Sequence, residues 1–151
     1  MAGLAEAFDA IVAAIASALE DWATQGMPLS DVRSVVRGDR SRPMPALPAI
    51  WVVPEAATQE GGTFGDPETW VMPVTLAALV KSDDPETGGR ECARLAADAR
   101  KAVLSDRRLG LEYVVDTVST TFDGAARSSE RNRNLFWADA TVRVRFGVEE
   151  D

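Results

Sequence analysis

The sequence predicts an α+β fold: a mostly antiparallel sheet with two helices packed against it, in the order helix, strand, strand, helix, strand, strand. Three observations carry that expectation. The stretch Trp70–Val80 is apolar on both alternating faces, the pattern of a strand covered on both sides. Leu4–Trp22 and Cys92–Val103 each bear one apolar stripe at helical spacing. Leu135–Val148 alternates without a break, with Phe136, Ala138, Ala140, Val142, Val144, Phe146 and Val148 on one side and Trp137, Asp139, Thr141, Arg143 and Arg145 on the other.

The first helix runs from Leu4 to Trp22, with Leu4, Phe8, Ile11, Val12, Ile15, Leu19 and Trp22 in a wide stripe and Gly26 as its stop. Its polar residues are acidic, which favours packing on a sheet over attraction to anionic lipid. The span 26–48 is expected to be an irregular arm punctuated by Pro28, Pro43, Pro45 and Pro48, with a short edge strand within Val32–Arg37. It is either a reach toward a neighbour or a surface loop. Ala49–Val53 reads as a short strand closed by Pro54, and 55–69 as an acidic, glycine-rich loop. Pro73 cannot donate to a ladder, so the long strand is expected to lie at an edge or carry a bulge there.

Lys81–Pro85 ends that strand. Asp84 is placed to cap the second helix, Pro85 fits its first position, and Glu86 suits the positive end of its dipole. The stripe Cys92, Leu95, Ala96, Ala99, Ala102 and Val103 is mostly alanine, so this helix can lie close on the sheet. Ser105–Gly110 connects to a strand over Glu112–Phe122, with Val114, Val118 and Phe122 on one side and Tyr113, Val115 and Thr117 on the other. A polar loop over 123–134 leads to the last strand, and Glu149–Asp151 forms a solvated tail.

At 151 residues the chain is expected to be a single domain, 1–151, with extended loops at 26–48, 55–69 and 123–134. Its formal charge of −8 argues against nucleic-acid binding, which needs clustered Lys and Arg, but suits a surface that DNA slides past. Cys92 is the only cysteine and histidine is absent, which removes disulfides, Cys/His zinc sites and histidine-based catalysis within one chain. Cys92 lies on the apolar stripe, as a packed core thiol would. No run reaches the ~20 apolar residues of a membrane span. The N-terminus lacks a basic leader, so the protein is expected to fold in the cytoplasm where it is made.

Catalytic motifs are wanting. Gly61-Gly-Thr-Phe-Gly65 has neither the Lys-Ser/Thr ending nor the helix start of a phosphate loop. The acid pairs Asp83/Asp84 and Glu149/Glu150 belong to a helix start and a terminus, without the apolar setting that raises a carboxyl pKa. No Gly-x-Ser-x-Gly elbow occurs, and no serine has a histidine base. The expectation is therefore no enzyme, no cofactor and no metal.

One resemblance goes further. An amphipathic first helix, the proline-bounded strand Pro48-Ala-Ile-Trp-Val-Val-Pro54, the strand, loop and helix at 70–104, and the closing strand containing Phe136-Trp-Ala-Asp-Ala-Thr-Val-Arg-Val-Arg-Phe146 are similar to the tail terminator (tail completion) proteins of long-tailed bacteriophages. The resemblance lies in element order and strand texture over most of the chain. It implies a virion protein forming a ring, usually a hexamer, that caps the tail tube and joins it to the head–tail connector while DNA passes through the bore. It brings no catalytic residue. A ring needs two different faces to meet, and opposite charges are available: Glu55, Glu60, Asp66 and Glu68 against Arg127, Arg131 and Arg133. The alternatives are another neck component, or a small α+β ligand-binding or adaptor domain.

Overall fold

The computed structural model describes residues 3–38, 45–61, 68–128 and 134–148. Helix α1, Leu4–Trp22, turns its stripe inward and buries Ala7, Ile11, Val12, Ile15, Ala16 and Leu19. Helix α2, Pro85–Leu104, begins as its sequence dictates. The Asp84 carboxylate accepts from the Glu86 N–H at 3.2 Å and from the Thr87 hydroxyl at 2.6 Å. Those bonds, the Thr87 hydroxyl foremost, hold the Asp84 carboxyl below the ordinary carboxylate range.

Six strands form one sheet: β1 Ser34–Arg37, β2 Ala49–Pro54, β3 Thr58–Gly61, β4 Glu68–Lys81, β5 Val114–Ser128 and β6 Leu135–Val148. Their order is β1-β2-β4-β6-β5, and β3 adds to β4 beside β2. The β1–β2 pairing is parallel and the other ladders are antiparallel. Both helices lie on one face, α1 over β1 and β2 and α2 over β4, β6 and β5. The core between them includes Met72, Val74, Leu76, Ala78 and Val80 from β4, with Val142, Val144, Phe146 and Val148 from β6. Gly88 permits the close approach of α2, since a Cβ there would stand 2.5 Å from the Phe136 ring.

The α+β class and both helices are as the sequence predicts; several finer points differ. Helix α1 stops at Trp22, before Gly26, whose φ of +85° serves the next turn of the chain. The arm is not free of core contacts: Leu29 and Val32 are buried between the helices and the sheet. Arg94 ties this segment to α2 by donating to the Pro28 carbonyl at 3.1 Å and to Asp31 at 2.9 Å, while also pairing with Glu91 and Asp98.

Pro73 sits in a central strand, not at an edge. Its backbone points toward the gap where the neighbour of β4 changes from β2 to β3, and its carbonyl accepts from the Glu55 N–H at 2.9 Å. The reciprocal bond to the Glu55 carbonyl is one that proline cannot make, and the β2 ladder ends there. The loop expected over 55–69 contains β3 and the start of β4, and that over 123–134 contains the end of β5.

Strand β5 departs most from strict alternation. Its register against β6 shifts between Val114 and Asp116, between Ser119 and Thr121, and between Asp123 and Arg127. The first bulge reverses the facing of the residues after it. Thr117, grouped by alternation with Tyr113 and Val115, is fully buried on the helix side, and Val118, grouped with the buried Val114, pairs with Arg143 on the open side. Phe122 returns to the helix side but, on the edge strand, remains 49% exposed. The solvated tail, 149–151, lies outside the described residues.

Candidate assembly surfaces

The helix-free face of the sheet is built from two unlike halves. At one end Ala49, Trp51, Ala77, Leu79 and Leu135 form a small buried apolar cluster, with Leu47, Val53 and Trp137 against it. At the other, polar side chains alternate with Val71 and Pro73. Thr75 faces Thr141 across β4 and β6, and Arg145 grips Glu60 with two bonds of 2.7 Å. That carboxylate raises the Arg145 pKa further above its ordinary value. The Trp51 indole N–H is buried and, among the described residues, has no hydrogen-bond partner.

The structure places the predicted charges at opposite ends. Glu55 is exposed just after β2, Glu60 lies on β3, and Glu68 opens β4, where it accepts from the Trp70 indole N–H at 3.0 Å. Arg127 lies at the far end of β5, opposite Trp137, and pairs with Asp123 at 3.3 Å. Glu68 sits opposite Val148 on the same β6. At ~3.3 Å per strand residue the two ends are on the order of 30 Å apart, so one chain does not bring them together. Asp66, Arg131 and Arg133 lie outside the described residues.

Two features carried no signal in the sequence. Arg107 donates to the Thr117 carbonyl at 3.2 Å, and Arg108 donates to the carbonyls of Val114 and Glu112 at 3.3 and 3.2 Å, so the loop after α2 covers acceptors along the edge strand. A furrow of about 370 Å³ also opens between the C-terminal ends of α1 and α2. Alanines from both helices, Trp22, Val103 and Leu109 form its walls, and Ser17, Asp21 and Asp106 its polar lining. The small side chains of Ala14, Ala18 and Ala102 leave room for that gap, and alanine runs also fit ordinary helix packing.

Cys92 is fully buried, its thiol 3.4 Å from the Gly89 carbonyl, and burial pushes its pKa upward. It is a core side chain held in the neutral form. Among the described residues no helix is long and apolar enough to cross a membrane, and no cluster of three or more His, Cys, Asp or Glu side chains is arranged to hold a metal ion.

Against known proteins, the likeness is one of shape. A chain in a solved structure described as "Virion of native gene transfer agent (GTA) particle" superposes with a TM-score of 0.60 at 14% sequence identity, over 92% of this chain and 98% of that one. At that identity the shared property is the fold. No protein-family model matches the sequence, and no curated protein matches it.

Proposed function

We propose that this chain is a structural, non-catalytic virion protein of a phage-like particle, and within that class a tail terminator: a subunit of a ring that ends the tail tube and joins it to the head–tail connector. The observation that carries the proposal is the fold shared, nearly end to end, with a chain of a virion particle. The element order read from the sequence supports the same class. The partners are then other copies of the chain, the tube protein below and the connector above, with DNA passing through the bore.

The separation of charge fits such a ring. An acidic end carrying Glu55, Glu60 and Glu68 and a distant end carrying Arg127 suit head-to-tail contact between copies, the heterologous geometry that closes a ring. Asp66, Arg131 and Arg133 extend the two charged stretches in sequence. Acidic groups turned to the bore would repel passing phosphates.

The test is electron microscopy of particles made without the protein. Heads and tubes that fail to join are expected, together with a ring at the head-proximal tube end of normal particles that is lost with the gene. Joined, infectious particles in its absence would overturn the terminator reading. A ring located elsewhere in the neck would assign another connector component.

A further inference from the structure

We propose that the furrow between the C-terminal ends of α1 and α2 seats Arg127 from the end of β5 of a second copy. The inference rests on the ring reading above and, within it, gives Arg127 the furrow rather than the Glu55, Glu60 and Glu68 end as its partner on the next copy. Four observations converge on it.

The first is the field. Helix α1 ends with Glu20 and Asp21 and has no basic residue in its last turn, so two carboxylates sit at the negative end of the helix dipole. Among the described residues no side chain pairs with the Asp21 carboxylate, and Asp106 adds a further negative group to the furrow. A cation placed there relieves this repulsion.

The second is shape and lining. An arginine stem can lie along Ala18 and Val103, its guanidinium can face Trp22, and its N–H fork can reach Asp21. Lysine, a point charge without a planar face, suits the same walls less well.

The third is availability. Across the acidic end, Glu60 is already held by Arg145 and Glu68 by the Trp70 indole, whereas among the described residues the furrow's Asp21 engages only through its backbone carbonyl, which accepts from Thr24. At the other end, Arg127 is 68% exposed and, among the described residues, holds only a surface pair with Asp123, an interaction of little worth.

The fourth is distance. Gly89, in the first turns of α2, lies beside Ala126, with 3.4 Å between the Ala126 Cβ and a Cβ built on Gly89, while the furrow is at the other end of that helix. At 1.5 Å per residue the separation is about 24 Å. Arg127 therefore cannot reach its own furrow, and a second copy must supply it.

The test uses charge reversal at both ends, with assembly of the full chain followed by light scattering over a concentration series. S17K/D21K reverses the furrow while sparing Asp106, whose carboxylate accepts the Arg108 N–H at 3.1 Å. R127E reverses the other end. Wild type is expected to assemble, and each variant alone to remain monomeric at concentrations where wild type does not. An equimolar mixture is expected to assemble again, because each altered end then meets its complement. Circular dichroism and Tm check that both variants fold.

Wild-type assembly by S17K/D21K, or a mixture of folded variants that stays monomeric, overturns the furrow contact. Loss of assembly in R127E alone removes the furrow while leaving the ring reading in place. If S17K/D21K self-assembles normally but no longer attaches to tail tubes, the furrow receives another protein and a second copy is excluded as its occupant. Wild type that stays monomeric throughout overturns this contact, and the particle microscopy then decides the ring reading separately.

Discussion

The two faces of the sheet solve different problems with the same strands. On the covered face β4 and β6 present an unbroken apolar surface to two helices, and burial of Met72, Leu76, Val142 and Phe146 is complete. On the open face the same two strands present threonines, arginines and carboxylates over half their length and a small apolar cluster at one end. The difference shows where stability resides. Apolar area withdrawn from water dominates folding, and most of the buried side chains lie on the helix side, with a smaller cluster around Trp51 on the other. The open face is free to carry charge and shape for other purposes, because little of the fold depends on it.

Leu95→Ala should break the comparison most visibly. Leu95 is fully buried between α2 and the sheet, so the change should cost ~2–5 kcal/mol in urea unfolding, and a loss below ~1 kcal/mol would place that stripe in solvent. Trp51→Phe is the matching change on the open face. The indole N–H has no partner, so its removal forfeits no hydrogen bond, and the net cost should stay under ~1 kcal/mol. A loss above ~2 kcal/mol would mean that the smaller ring leaves a cavity the cluster cannot close, or that the indole is bonded.

The smallest effect is expected at Asp84, where only a helix end is at stake. Its carboxyl pKa is lowered in the folded protein, so its contribution is present above the unfolded carboxyl pKa and lost as pH falls through the folded one. Asp84→Ala should therefore lower Tm slightly at neutral pH, with the gap to wild type narrowing under acid. A gap that stays constant from neutral pH into acid would remove the carboxylate from the cap.

Much of this fold was legible because its main elements obey a single period. Leu135–Val148 alternates strictly, and α2 combines an Asp-Pro start with an unbroken stripe, so both could be read residue by residue. What escaped was structure that needs a distant partner. Thr58–Gly61 looks like polar loop and becomes a strand only because β4 offers it a ladder. The end of β5 is polar and glycine-containing, and its bulges reverse the facing that alternation predicts for Thr117 and Val118. Leu29 and Val32, isolated among turn residues, gave no pattern to signal burial.

The candidate surfaces were less legible still. A run of acids and a run of arginines could be seen, but not that Glu60 would be taken by a residue 85 positions away. Nor could the sequence show that two helix ends would leave a furrow, since that depends on how α1 and α2 converge.

The arginines laid over β5 have a consequence for how copies can meet. A strand arriving from another molecule at that flank finds the carbonyls of Val114 and Thr117 already engaged by Arg108 and Arg107. Sideways growth of the sheet is discouraged at that flank. Association at that flank is left to side-chain contacts, which ionic strength can weaken and which can be undone and corrected.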